Sequence, residues 1–166
     1  QEFGQNEPVM IVSNDKDFLQ LQKYSNVVQF SPMKNRIIKE SNPYAYLQEH
    51  ILRGDAGDGV PNFLSDDDTF VTDKRQKPLS KKRVEQLLNC SNIKDELNEV
   101  EYRNWQRNRR MVELSSEMIP DEVVQSIEEK IADSNKAKPN SSMFLNYLIE
   151  KRCNQLVSSI SDFYPL

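Results

Sequence analysis

The stretch that decides the fold is Val9-Met10-Ile11-Val12, followed at once by Ser13-Asn14-Asp15-Lys16-Asp17-Phe18. The first four residues form a short apolar run rich in β-branched side chains, which predicts a buried strand. Two carboxylates, Asp15 and Asp17, therefore follow the carboxyl end of a strand, where open α/β sheets collect their ligands.

A second acidic pair, Asp55 and Asp58, lies in Gly54-Asp55-Ala56-Gly57-Asp58-Gly59-Val60-Pro61, where glycines and a proline indicate a tight loop. Carboxylate oxygens suit hard divalent cations such as Mg²⁺. Each pair alone is also compatible with a solvated turn or a helix C-cap. Together the two pairs suggest an oxygen-ligand site for a divalent cation.

The composition predicts a soluble protein, since 29% of the 166 residues are charged. No apolar run approaches the roughly 18 residues that a membrane span needs, and the start of the chain lacks a secretory pattern. Cys90 and Cys153 stand apart from any metal or redox motif, so we expect free thiols in a reducing compartment.

Positive charge is concentrated in two segments, although the net charge is −4. The first is expected to bind DNA and consists of Lys74, Arg75, Lys77, Lys81, Lys82 and Arg83. The second consists of Arg103, Arg107, Arg109 and Arg110 around Trp105. For Trp105, packing in the core is favoured over stacking on a base. A nuclease needs acidic side chains to bind metal cations and basic side chains to bind phosphate. The alternative is that the basic residues form a merely solvated face.

The predicted elements change from strands to helices near residue 40. Strands are predicted over 9–12, 27–30 and 36–39, with a helical turn over 17–22. Because so few strands make a poor independent sheet, we expect further strands upstream and a chain that is the C-terminal part of a longer protein. Residues 1–40 are assigned to an α/β domain and residues 41–166 to a helical region.

The helical region has clear start and stop signals. Asn42 and Pro43 begin the first helix, which ends at Gly54 and places His50 at the surface. The segment 62–80 has no clean period and is expected to be a long, mobile loop until Ser80 caps the next helix. The remaining predicted helices are 81–88, 95–111, one opened by Pro120 with core positions Val123, Val124, Ile127 and Ile131, and 142–159 with core positions that include Phe144, Leu145, Leu148, Ile149 and Leu156.

Residues 11–21 and 54–61, taken in order, resemble the signature of the 5′-nuclease (flap endonuclease) superfamily. In that family a strand ends in Ser-x-Asp-x-Asp-Phe, and Gly-Asp-x-x-Asp-Asn-(Ile/Val)-Pro opens the DNA-binding module. Residues 22–27, 30–33, 102–104 and 119–121 are similar to its phage ribonuclease H branch, that of the T-even type. The resemblance implies an α/β then mostly α fold, with the end of a PIN-like sheet domain followed by a helix–turn–helix-type DNA-binding region.

The same resemblance implies a 5′→3′ exonuclease or flap endonuclease that removes RNA primers and adjacent DNA during lagging-strand replication. It implies two divalent cations, Mg²⁺ with Mn²⁺ as a substitute. Asp15 matches an aspartate bound to the first cation, and Asp17 and Asp58 match those of the second, partly through water. Asp55 matches a motif acid that shapes the loop or supports its neighbours.

The implied substrates are double-stranded DNA and RNA–DNA duplexes with a 5′ end, nick or flap. The phage single-stranded DNA-binding protein and sliding clamp are candidate partners, for which the aromatic tail at residues 160–166 is a docking candidate. We expect a monomer in the cytoplasm of the infected bacterial host, without membrane contact.

Two departures from the family limit the expectation. The family's other carboxylates lie upstream of the matched motifs, so this chain alone is expected to be inactive or nearly so. The glycine-rich turn that follows Pro61 in cellular relatives is replaced by the segment 62–78, and we expect the basic residues and the Ser80-capped helix to face phosphate instead. The alternatives are a non-catalytic DNA-binding or replisome-tethering module and, less favoured, an unrelated metal-binding regulator.

Overall fold

The structure is a computed structural model that describes residues 7–72, 74–136 and 140–163. It is mostly helical, with a small sheet near the start. The chain forms two compact units, of which the first ends at Met118 and the second begins at Ile119. The domain boundary expected near residue 40 stays a prediction.

The described residues contain three strands and seven α-helices. They are β1 (Val9–Val12), β2 (Val27–Ser31), β3 (Arg36–Ile38), α1 (Pro43–Arg53), α2 (Lys81–Leu88), α3 (Ile93–Glu96), α4 (Glu99–Val112), α5 (Asp121–Lys136), α6 (Ser141–Glu150) and α7 (Asn154–Ser158). Short 3₁₀ helices cover Asp17–Lys23, Ser116–Met118 and Ile160–Phe163. Among these helices, none has the length and apolar character needed to cross a membrane.

The three strands form one sheet in the order β1-β2-β3. β1 runs parallel to β2, and β2 runs antiparallel to β3. The prediction of a buried first strand is wrong, because Met10 is 55% and Val12 62% exposed. The exposed side chains alternate with the partly buried Val9 and Ile11, so one face of β1 is partly covered and the other is open.

Two helix starts follow from capping side chains and confirm the prediction. The Asn42 side chain accepts a hydrogen bond from the Ala45 amide at 3.0 Å, and Pro43 occupies the first turn. The Ser80 hydroxyl accepts one from the Arg83 amide at 3.2 Å. Each cap satisfies a backbone donor that the helix itself leaves unpaired.

The helix predicted over 95–111 is two helices, α3 and α4. Leu97 is extended between them, and Asn98 caps α4 in a reciprocal pair of hydrogen bonds with Glu101. The prediction missed this break because Asn98 and Glu101 form a capping box, which starts a new helix inside an otherwise continuous helical pattern.

The second unit also differs from the predicted helices. The helix expected over 142–159 divides into α6 and α7 near Arg152, whose φ of 54° is left-handed. Leu148 is buried as predicted, but Phe144, Ile149 and Leu156 are exposed. On α5, the predicted core positions Val123, Ile127 and Ile131 are 43%, 46% and 42% exposed. Periodicity identified the apolar face of α5, but it does not determine what covers that face.

The core of the first unit is formed by α1, α2, α4 and the loop between α1 and α2. Its buried side chains are Ile51, Leu52, Phe63, Val84, Leu87, Leu97, Trp105 and Val112. The segment 62–80 therefore starts in the core, with Phe63 fully buried and Ser65 1% exposed. Its described residues, 62–72 and 74–80, form no regular helix or strand, as predicted, but the first of them are packed rather than loose.

Buried polar side chains of α4 hold that loop in place. The Asn108 amide donates to the carbonyls of Ile51 (2.8 Å) and Pro61 (2.9 Å). Asn104 donates to the Ser65 carbonyl at 3.0 Å, and Arg107 donates to the Pro61 carbonyl at 3.1 Å. These bonds satisfy carbonyls at the end of α1 and at the start of the loop.

Asn108→Ala is expected to lower the free energy of unfolding by about 2–4 kcal/mol, because it leaves buried carbonyls short of a donor and opens a cavity. Chemical denaturation followed by circular dichroism measures this. Gln106→Ala, at an exposed position of the same helix, is the matched control and is expected to change stability by less than about 0.5 kcal/mol. Equal stability of the two variants would contradict the assignment.

Candidate metal centre

Hydrogen bonds fix the conformation of the loop that follows β1 and carries Asp15 and Asp17. The Asp17 amide donates to the Asp15 carboxylate at 2.9 Å, and the Asp15 amide donates to the Ser13 hydroxyl at 3.1 Å. From the neighbouring strand, the fully buried Gln29 donates to the carbonyls of Ser13 (2.9 Å) and Asp15 (2.6 Å). The strand pairing therefore fixes the backbone beneath the first acidic pair.

The loop that carries the second acidic pair begins at Gly54, and its end at Val60 and Pro61 packs against Gly54. Gly54 has a φ of +67°, and a side chain there would collide with the carbonyl oxygens of Val60 and Pro61. The Val60 amide donates to the Asp55 carbonyl at 2.7 Å. The Asp55 carboxylate accepts from the amides of Gly57 (2.8 Å) and Asp58 (3.3 Å), which shapes the turn.

Asp17 and Asp55 lie close together, and Asp15 and Asp58 lie near enough for their charges to act on Asp17. Partial burial raises the pKa of Asp17, and the negative charges of Asp15, Asp55 and Asp58 raise it further, while His50 opposes them. The structure therefore brings residues from the loop after β1 and the loop after α1 to one place. Crowded carboxylates of this kind repel one another unless a cation neutralises them.

His50 lies between the two loops, and the prediction that it is a surface residue is wrong. Its side chain is 12% exposed, with Nε2 3.2 Å from Asp55 Oδ2 and Nδ1 3.5 Å from Asp17 Oδ1. One oxygen of Asp17, one of Asp55 and one nitrogen of His50 all lie within 4.8 Å of one another. The available signal was spacing, since His50 follows Tyr46 by one helical turn and precedes Gly54 by another.

Tyr46 packs beside this group. Its ring contacts His50 edge-on at 6.0 Å between centroids, and burial together with the charges of Asp17 and Asp55 raises the pKa of its hydroxyl. A cavity of about 400 Å³ opens here, lined by Lys16, Tyr46, Glu49, His50, Arg53, Gly54 and Asp55. Asp55 and His50 are thus accessible from this cavity.

Asp17 and Asp55 differ in how well the protein alone stabilises their charge. Partial burial by itself would raise the pKa of Asp55, but hydrogen bonds from the Gly57 and Asp58 amides and from His50 lower it overall. For Asp17, the charge of His50 opposes the effect of burial only in part, and its pKa is raised. An oxygen-rich donor set with an under-compensated carboxylate fits a divalent cation.

The six cations expected to bind DNA are exposed or half-exposed, and four of them form ion pairs. Lys74 contacts Asp68 (2.9 Å), Lys77 contacts Asp66 (3.6 Å), Lys81 contacts Glu85 (3.9 Å), and Arg83 contacts Glu96 (3.7 Å). Within the described part of the chain, Arg75 and Lys82 form no ion pair. None of the described ion pairs joins these cations to the four clustered carboxylates.

Trp105 packs in the core, which confirms the favoured interpretation. It is 8% exposed and stacks on Tyr102 with 5.8 Å between ring centroids. Arg109 lies 6.0 Å from the Trp105 ring and pairs with Glu113, and Arg107 pairs with Asp67. Cys90 and Cys153 are free thiols, as expected.

A family described as T4 RNase H, C terminal, matches residues 43–163. The chain belongs to this family. Ribonuclease H of Enterobacteria phage T4 is 30% identical in an alignment 161 residues long, which covers 93% of this chain and 52% of that protein. The chain therefore spans about half the length of this curated relative. The family match confirms the resemblance that was inferred from the sequence.

Asp17→Asn is expected to stabilise the metal-free protein. The raised pKa means that ionised Asp17 costs folding free energy above its ordinary pKa of 3.8, whereas at lower pH both states are protonated and the cost vanishes. We expect the melting temperature at neutral pH with chelator to rise by the order of 2 °C, and this gain to disappear on acidification.

Thermal unfolding with and without Mg²⁺ checks this prediction. Added Mg²⁺ is expected to raise the melting temperature of the unmodified chain and not that of Asp17→Asn, because ligand binding stabilises only the competent state. Asp68→Asn, which alters an exposed carboxylate elsewhere, is the control. A destabilised Asp17→Asn at neutral pH would show that Asp17 is a stabilising partner of His50 instead.

Proposed function

We propose that this chain forms the C-terminal part of a phage ribonuclease H type nuclease, a metal-dependent 5′→3′ exonuclease or flap endonuclease. The observation that carries the proposal is that ligand atoms of Asp17, Asp55 and His50 lie within 4.8 Å of one another, with the charges of Asp15 and Asp58 nearby, in a member of this family. The parent enzyme would remove RNA primers and adjacent DNA during lagging-strand replication.

The four carboxylates suit two divalent cations, with Mg²⁺ first and Mn²⁺ as a substitute. Such cations supply an activated water and stabilise the leaving oxygen of a phosphodiester. We assign Asp15 to the first cation, and Asp17 and Asp58 to the second, partly through water. Asp55 acts through the loop, because its carboxylate accepts hydrogen bonds from the Gly57 and Asp58 amides.

Four carboxylates provide only part of the ligands for two octahedral cations. The family resemblance assigns the remaining carboxylates to a region that precedes the matched motifs. We therefore propose that this chain alone binds Mg²⁺ weakly and cuts little or not at all, and that the three-stranded sheet belongs to a PIN-like domain of the complete nuclease.

The helical residues of the first unit are proposed to bind duplex DNA or RNA–DNA with a 5′ end, nick or flap, in a helix–turn–helix-type manner. Support comes from the exposed cations at the start of α2 and in the segment before it. Their surface ion pairs contribute little free energy, about 0–1 kcal/mol each, so phosphate can replace the paired carboxylates at small cost.

Three further expectations stay predictions. They are a monomeric state, a location in the cytoplasm of the infected host, and docking of the single-stranded DNA-binding protein or sliding clamp. The aromatic tail named for docking falls partly outside the described residues, since the structure describes the chain only to Phe163. Phe163 is 50% exposed and contacts Phe144 edge-on at 5.4 Å between centroids.

Mg²⁺-dependent cleavage of a 5′-labelled flap and an RNA-primed duplex tests the proposal, using this chain and the complete nuclease that contains it. We expect only the complete nuclease to cut, and Asp15→Asn to slow it by about 100-fold or more because a cation ligand is lost. Asp66→Asn, at an exposed loop carboxylate, is the matched control. If the complete nuclease binds the substrate and never cuts it, the carboxylates are structural and the chain is a non-catalytic DNA-binding module.

Replacing both Lys81 and Lys82 with Gln is expected to weaken duplex binding and to flatten its salt dependence. Each lost phosphate contact lowers the slope of log K against log salt by about 0.9 for duplex DNA. Fluorescence anisotropy over a salt series measures the slope, and Lys34→Gln, at an exposed cation outside the segment, is the control. An unchanged slope would identify the segment as a solvated basic face.

A further inference from the structure

His50 occupies a position that the nuclease proposal does not use. It is the chain's only histidine, and its imidazole is inserted between the loop after β1 and the loop after α1. Its Nε2 lies 3.2 Å from Asp55 Oδ2, in hydrogen-bond contact. Its Nδ1 is buried and lacks a hydrogen-bond partner among the described residues, although Asp17 Oδ1 lies 3.5 Å away.

The contacts of Asp55 determine which nitrogen of His50 carries the proton. Asp55 Oδ1 already accepts from two backbone amides, so Oδ2 remains to accept a proton from Nε2. A neutral imidazole that donates through Nε2 has a lone pair on Nδ1. That lone pair then faces a carboxylate oxygen of Asp17. In that neutral form, a metal cation between the two electron-rich atoms would relieve their repulsion.

The distance between these two atoms favours one class of cation. A tetrahedral ion with bonds of about 2.0–2.1 Å to nitrogen and oxygen separates its ligands by about 3.4 Å. Neighbouring ligands of octahedral Mg²⁺, with bonds of about 2.0–2.1 Å, lie only about 3.0 Å apart. The observed 3.5 Å between His50 Nδ1 and Asp17 Oδ1 lies nearer the tetrahedral spacing than the octahedral one. Imidazole nitrogen is also a ligand that suits zinc-like metals better than Mg²⁺.

We propose that His50 Nδ1 and Asp17 Oδ1 bind one transition-metal ion of the Zn²⁺ and Co²⁺ class, with Asp55 orienting the imidazole. The inference rests on the proposed metal centre and goes beyond it, because a nitrogen ligand gives this site a metal preference that carboxylates alone do not. In many metal sites a carboxylate accepts a hydrogen bond from the metal-binding histidine and so fixes the tautomer of its imidazole. Water completes the coordination.

Nitrogen NMR of the ¹⁵N-labelled chain tests the inference without any cleavage assay. Because the chain has one histidine, every imidazole signal belongs to His50. Where the imidazole is neutral, we expect the metal-free protein to show the tautomer protonated at Nε2. Added Zn²⁺ is expected to shift Nδ1 while Nε2 keeps its proton. Signals that Zn²⁺ does not move, a shift centred on Nε2, or a ring that stays protonated on both nitrogens with Zn²⁺ present would overturn the proposal.

Calorimetry with Zn²⁺ and with Mg²⁺ gives the second readout. We expect Zn²⁺ to bind at least about tenfold more tightly than Mg²⁺, His50→Gln to remove that preference, and Asp55→Asn to weaken Zn²⁺ binding by about 10-fold. Asp68→Asn is the control, and circular dichroism checks that each variant folds. Equal Zn²⁺ affinity in His50→Gln and the unmodified chain would overturn the proposal.

The two metal titrations separate this inference from the proposed function. If Mg²⁺ supports cleavage by the complete nuclease while Zn²⁺ leaves the His50 signals unchanged, the nuclease proposal stands and the His50 site is refuted. If Zn²⁺ binds through Nδ1 while the complete nuclease never cuts, the His50 site stands and the nuclease proposal is refuted.

Discussion

Two hydrogen bonds from the Asn108 carboxamide tie the end of α1 to the loop that follows it. They reach the carbonyls of Ile51 and Pro61, and Asn108 is fully buried. Ile51 and Pro61 are both buried, and the chain between them turns back within a few residues to bring both carbonyls to one side chain. Gly54 permits that turn through its left-handed φ of +67°. The position of the second acidic pair thus depends on a polar side chain of α4.

The fold provides the free energy that holds repelling charges together. The apolar core around Phe63 and Trp105, and the buried Gln29 beneath the first loop, stabilise segments that end in carboxylates. The raised pKa of Asp17 shows that these charges are not fully compensated by the protein. Such local cost is typical of functional sites, where a ligand rather than the protein completes the electrostatics.

Local signals could be predicted from the sequence, whereas properties that depend on distant neighbours could not. The caps Asn42 and Ser80 act on amides a few residues away, so a short window contains the whole interaction. The four carboxylates were singled out from an ordered pair of motifs, and their role as cation ligands stays a prediction. The burial of His50 depends on how α1 packs against two loops, and the exposure of Ile127 depends on which elements cover α5. The helical spacing of apolar residues determines neither the burial of His50 nor the exposure of Ile127.

The contact between His50 and Asp17 joins a part of the chain inside the family match to a part that precedes it. Asp17 precedes Pro43, where the family match begins, while His50, Asp55 and Asp58 lie inside it. The likeness to the phage T4 relative extends over 161 residues and so includes part of the chain before Pro43. Neither acidic loop alone supplies more than two of the four carboxylates. Any cation chemistry at this site therefore requires α1 to be docked on the segment after β1, and residues that strengthen that docking control the geometry of the metal centre without touching a metal.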